Sequence, residues 1–183
     1  TAYEIVDCDW SSDVCSSDLA TGLLKKDHKK VLAIFAKWDD SDDDKECAEL
    51  MQQAILELKV HTAIEEELFY PEVRKALEDE SELLDEAEEE HHVAKLLIGE
   101  IEELGMNDES AEAKFQVLAE NVRHHIKEEE GEMFPKIEDE DLNEELVDQL
   151  LDRKAALMAE VGDEMGMPIP PEGGHIARPS GRA

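Results

Sequence analysis

Apolar residues recur every three to four positions along nearly the whole chain, the spacing of one buried face of an α-helix. Leu24, His28, Val31, Leu32 and Phe35 form one stripe, and Ala54, Leu58, His61, Glu65 and Leu68 a second. Ala87, His91, Ala94, Ile98 and Ile101 form a third, and Phe115, Leu118, Val122, His125 and Glu129 a fourth. A fifth, amphipathic stretch runs from Asp141 to about Met165, with Leu146, Leu150 and Leu157 on one side. Polar or glycine-bearing breaks at 39–44, 78–81, 105–109 and 138–141 separate the stripes. Short links favour antiparallel neighbours. The pattern therefore predicts an all-α fold: an up-down-up-down four-helix bundle over residues 20–138 and an additional helix over 139–166. Residues 167–183 lack periodicity and are expected to form a disordered tail.

Four of these stripes carry polar side chains where apolar ones belong. His61-Thr-Ala-Ile-Glu65-Glu66 and His125-Ile-Lys-Glu-Glu129-Glu130 repeat one phrase 64 residues apart, each leading to an aromatic and a proline, Tyr70-Pro71 and Phe134-Pro135. Positions i and i+4 share a helix face, so each phrase aims one imidazole and one carboxylate at the same place. His28 precedes His61 by 33 residues and His91 precedes His125 by 34, so the chain reads as two helical hairpins of one kind. A pseudo-two-fold arrangement would bring all four histidines to one centre.

An ionised carboxylate in a bundle core is tolerated only when paired or bound to metal. Four imidazoles and two carboxylates without cysteine suit iron or manganese, and zinc less characteristically. They are too many for one ion, and two bridged metals would use them all. We assign His28 and His61 to one metal, His91 and His125 to the other, and Glu65 and Glu129 as bridges. An added oxo or hydroxo bridge would leave each metal a vacancy for oxygen, peroxide or nitric oxide. Two doublets require a choice. His91 is in phase with Ala87, Ala94 and Ile98, whereas an unbroken 64-residue shift from His28 selects His92. We follow the stripe, since a one-residue slip in a turn is cheaper than a misdirected side chain; by the same logic His125 is preferred to His124. His175 lies in the tail. Tyr70, five residues past Glu65, is expected to pack rather than to approach the site.

Composition narrows the rest. A formal net charge of −32 repels phosphate backbones and makes nucleic acid a poor partner. No run approaches the ~18 apolar residues of a membrane span. Cys47 stands apart from Cys8 and Cys15, so no disulfide framework is implied and a reducing cytoplasm fits. Residues 1–19, from Thr1-Ala-Tyr-Glu-Ile5 to Ser17-Asp18-Leu19, resemble the in-frame translation of an indexed sequencing adapter. They are expected to be a non-native leader standing where the true N-terminus belongs.

Together, Leu23-Leu-Lys-Lys-Asp-His28, His61-x-x-x-Glu65-Glu66 with Pro71, Glu90-His91, and His124-His125-Ile-Lys-Glu-Glu129-Glu130 with Phe134-Pro135 resemble the hemerythrin-like, or HHE cation-binding, family. The resemblance covers roughly residues 22–138 and implies a non-haem di-iron centre in an up-and-down bundle. Oxygen carriers of that family have a second histidine one turn after the helix-three histidine, where this chain has Lys95, and end on an aspartate, where it has Glu129. That departure argues against a dedicated oxygen carrier and fits the bacterial branch linked to oxygen, redox, nitric oxide or iron stress responses. A binding or sensing module is expected; an enzyme acting on peroxide, nitric oxide or ferrous iron is the alternative. A third reading is a helical interaction protein that meets a partner through the helix from Asp141 to Met165, although that stretch is expected to pack on the bundle as ordinary amphipathic structure. Glu88-x-x-His91 has the spacing of ferritin-like oxidases, but that architecture needs the element on two helices.

Overall fold

Asp43 and Asp108 begin the second helix of each hairpin by capping it. Asp43 accepts from the Glu46 N–H and Asp108 from the Ser110 N–H, each at 2.8 Å, which satisfies donors left orphaned in a first turn. Gly105, at φ 88°, ends the third long helix in a left-handed turn that a side chain would resist. The computed structural model describes residues 20–77, 81–138 and 144–167. The expected leader, the tail beyond Met167 and His175 fall outside them.

The elements are α1 (Ala20–Asp40), α2 (Asp44–Ile64), α3 (Tyr70–Ala76), α4 (Ser81–Leu104), α5 (Glu109–Glu128), α6 (Phe134–Glu138) and α7 (Glu144–Glu164). Two single-turn π segments, Glu65–Phe69 and Glu129–Met133, join α2 to α3 and α5 to α6. The α1–α2 and α4–α5 hairpins pack on each other through α1 on α5 and α2 on α4, which closes the all-α bundle. The fifth amphipathic stretch becomes α7 and lies along α2, touching α1 and the first π turn. Gln52 Nε2 donates to the Met165 carbonyl at 3.1 Å, and Arg153 grips Glu67 at 2.6 and 3.0 Å.

Two apolar clusters fill the bundle. One gathers Val31, Phe35, Trp38, Met51, Leu58, Ala94, Phe115 and Val122 toward the hairpin turns. The other gathers Leu24, Ile64, Phe69, Tyr70, Ala87, Phe134, Leu146 and Leu150 at the opposite end, with α7 contributing. Each predicted histidine falls where its helix passes from one cluster to the other. His28 lies between Leu24 and Val31, His61 between Leu58 and Ile64, and His91 between Ala87 and Ala94. A polar layer therefore divides the core. Among the described residues no helix is long and apolar enough to cross a membrane.

Candidate metal centre

The six residues singled out by the stripes, His28, His61, Glu65, His91, His125 and Glu129, are all buried in this layer. Their imidazoles meet in pairs. His28 Nε2 is 3.1 Å from His61 Nε2, and His91 Nε2 is 3.1 Å from His125 Nε2. The glutamates straddle the pairs. Glu65 Oε2 lies 3.2 Å from His61 Nε2 and 3.4 Å from His91 Nε2. Glu129 Oε2 lies 3.2 Å from His28 Nε2 and 3.4 Å from His125 Nε2. Each carboxylate therefore faces one ring from each hairpin. His92 and His124 are exposed. Glu88 pairs with Arg74 on the surface, 3.0 Å away, so the Glu-x-x-His spacing has no part in the layer.

A second ring of acids sets the protons. His28 Nδ1 donates to Glu130 at 2.8 Å, His91 Nδ1 to Glu66 at 3.1 Å and His125 Nδ1 to Glu90 at 2.8 Å. A carboxylate accepts only, so these rings carry a proton on Nδ1 and turn their Nε2 atoms inward, free to hold a cation or a second proton. His61 differs. Its Nδ1 is 3.7 Å from Asp27 Oδ2, too far for a hydrogen bond, and both atoms are buried without a partner while Lys154 of α7 engages the other oxygen of Asp27.

Lone pairs and carboxylates facing one another repel unless positive charge lies among them. Glu65 Oε1 and Oε2, Glu129 Oε2 and His61 Nδ1 are buried without hydrogen-bond partners. Such orphans cost ~1–3 kcal/mol each when nothing compensates. In the metal-free chain, protons supply part of the missing charge. Burial and the charge of Glu129 push the Glu65 carboxyl well above its usual range. Burial opposes ionisation of Glu129 as well, but His125 and His28 outweigh it and hold that carboxylate ionised. Burial likewise disfavours protonated His28 and His125, yet Glu129 keeps both above the ordinary histidine value. His61, buried and beside His28, is pushed down to about 4. This donor set of imidazoles and shared carboxylates fits a pair of first-row cations, which would replace the protons and satisfy the orphaned oxygens.

Both π turns begin at the straddling glutamates. The Tyr70 N–H bonds the Glu65 carbonyl, and the Phe134 N–H bonds that of Glu129. Pro71 and Pro135, one residue further on, have no N–H for a regular i−4 bond. The extra residue in the turn corrects the expectation for Tyr70. In a regular helix five residues would carry it about 140° away from Glu65, whereas a π turn stacks it above. The Tyr70 hydroxyl donates to Glu129 Oε1 at 2.9 Å and lies 3.3 Å from His91 Nε2. Its ring stacks on His91 at 5.3 Å between centroids, and Phe134, in the matching place, stacks on His28 at 5.7 Å. At this matching pair of positions the two halves differ by one hydroxyl.

The outer acids Asp27, Glu66, Glu90 and Glu130 were not singled out as site residues by the stripes, though their signal is present. An acid precedes the first histidine of each hairpin, and a Glu-Glu doublet closes each phrase. Lys95, standing where oxygen carriers have a histidine, clamps Glu66. That contact and the His91 bond hold the Glu66 carboxylate down at about 2, the His91 bond contributing most.

A helical bundle divided by a buried histidine–carboxylate layer defines the class of cation-binding bundle proteins. Residues 19–137 match the hemerythrin HHE cation-binding domain, and the chain belongs to that family. It is 27% identical over 146 residues to a DNA nickase of Nostoc sp., covering 79% of this chain and 40% of that protein. It is 27% identical over 114 residues to an uncharacterized hemerythrin-like protein of Schizosaccharomyces pombe, covering 62% of this chain and 56% of the relative. The chain thus spans between two-fifths and somewhat over half of the length of these relatives. No solved structure matches it.

Proposed function

We propose that the chain holds two iron ions, one at His28 and His61 and one at His91 and His125, with Glu65 and Glu129 shared between them. It would use them to bind or sense a small ligand such as oxygen or nitric oxide. The observation that carries this reading is the inward-facing set of Nε2 atoms and orphaned carboxylate oxygens, with the Nδ1 protons of three rings already engaged. Iron in such a site supplies open coordination positions and a one-electron couple. The chain supplies the rest. Outer acids fix the ring orientations, Phe134 and Tyr70 cover one side, and a cavity of about 20 Å³ opens on the other. Val31, Leu58, Ala94, Val122 and Ile126 line that cavity with apolar surface, which suits a small uncharged guest and excludes bulk water.

One observation favours the alternative, an enzyme acting on peroxide, nitric oxide or ferrous iron. Tyr70 places a hydroxyl against Glu129 and His91, where it could donate a hydrogen bond to a reacting group. A net charge of −32 opposes contact with a phosphate backbone and argues against nickase activity in this chain. Titrating the iron-loaded chain with azide and nitric oxide while following its visible bands tests the binding reading, which expects stoichiometric, reversible shifts. Stopped-flow mixing with excess peroxide separates the two: many turnovers per chain would select the enzyme. Bands insensitive to every small ligand would remove both.

A further inference from the structure

The doublet His124-His125 sends only its second ring into the buried layer. His124 faces outward, 59% exposed, with Nε2 3.0 Å from Glu128 Oε1 and 4.0 Å from Glu90 Oε1. One donor atom from each of the three residues lies within 4.8 Å of the others. Glu90 belongs to both layers: Oε2 accepts from His125 Nδ1 at 2.8 Å while Oε1 faces His124. A gap of about 10 Å³ between α4 and the junction of α5 with the second π segment is lined by Glu86, Glu90, Glu128, His125 and Glu129, with Leu83, Ala87 and Met133 completing its wall. From this juxtaposition we propose that Glu90, His124 and Glu128 form an outer site for a divalent cation and deliver it through the gap to the buried centre.

His124 and Glu128, one turn apart on α5, would alone be an ordinary surface pair. The difference is a third donor from another helix, already anchored by a buried imidazole. One imidazole and two carboxylates suit ferrous, manganous or zinc ions. Such ions hold nitrogen and oxygen donors at ~2.0–2.2 Å, so the three groups need to close by roughly an ångström, which part-exposed side chains permit. Water would complete the coordination, so binding is weak and exchange fast, as delivery requires. The acidic surface concentrates cations around this entrance. Delivery exchanges metal–ligand bonds only: the outer donors and waters are released as buried donors take over, and no electron moves.

The delivery half of this inference rests on the proposed function, and the outer site does not. The test titrates the metal-free full chain with Mn²⁺ and reads free Mn²⁺ by electron paramagnetic resonance. The wild type should take up three equivalents, the third at least tenfold weaker, and His124→Ala and Glu128→Gln should each take up only two. Glu90 is left unchanged because it holds His125. Anaerobic stopped-flow mixing with Fe²⁺ should show filling of the buried centre at least fivefold slower in His124→Ala, with the same final loading. A weak equivalent missing from the wild type, or kept by His124→Ala, overturns the outer site; an unaltered filling rate overturns delivery. His61→Ala should retain the weak equivalent. A wild type that bound only that weak equivalent would sink the buried di-metal centre and leave the outer site standing.

Discussion

Replacing Glu65 by methionine should stabilise the metal-free chain while abolishing its response to metal. Glu65 is fully buried, and neither of its carboxylate oxygens has a hydrogen-bond partner. Leaving a buried polar group unsatisfied costs ~1–3 kcal/mol. Methionine has nearly the same length, no polar oxygen and a flexible stem, so the exchange itself costs under ~1.5 kcal/mol. One term opposes the gain: where Glu65 is ionised, its charge helps to hold protons on His28 and His125, and that support is lost. The balance is a gain of up to ~2 kcal/mol, or at most roughly 8 °C in Tm for a chain of this size. Thermal and urea unfolding of both chains in chelator reads it directly. Repeating the melts with Fe²⁺ under anaerobic conditions should raise the wild type well above its metal-free value and leave Glu65→Met where it was. A metal-free variant less stable than the metal-free wild type would refute the reasoning, because Glu65 would then be satisfied without a cation.

Four further outcomes follow from the same geometry. His91→Ala should remove about half of the bound metal, whereas His92→Ala, one residue away and exposed, should leave metal content unchanged by elemental analysis. Glu66→Ala releases the Nδ1–H of His91 and should weaken metal affinity ~10–100-fold in chelator competition, with no effect on helix content. Tyr70→Phe removes the donor to Glu129 Oε1 and should cost the metal-free chain ~1–3 kcal/mol, with a smaller loss once metal occupies the carboxylate, as paired melts would show. Metal affinity should rise with pH. Glu65 is pushed up, so between 4.5 and its raised value the metal-free chain carries a proton that the loaded chain cannot keep. Uptake releases that proton, and the raised His28 and His125 act in the same direction. Calorimetry in buffers of different ionisation enthalpy should register the release, and an affinity that fell with pH would contradict it.

Much of this arrangement is legible in the chain because helical periodicity is a global signal. The same stripes that predict the bundle place His91 rather than His92, and His125 rather than His124, on the inner face, since a helix commits every residue to one direction. What sequence periodicity misses is local. A π turn adds one residue to a turn without altering the apolar pattern around it, and that single residue swings Tyr70 from packing onto Glu129. The outer acids escape for another reason. Glu66 serves a ring from α4 and Glu130 a ring from α1, so each pairing crosses between helices and has no fixed spacing along the chain. At His61 the facing acid, Asp27, is also held by Lys154 of α7, more than ninety residues from His61, a contact that no motif within the bundle foretells.

Anomalous diffraction from crystals of the iron-loaded chain, collected across the iron edge, tests the central claim most directly. Two iron peaks should appear within the layer, one beside His28 and His61 and the other beside His91 and His125, with Glu65 and Glu129 between them. A single peak, or iron bound only outside the layer, would contradict it.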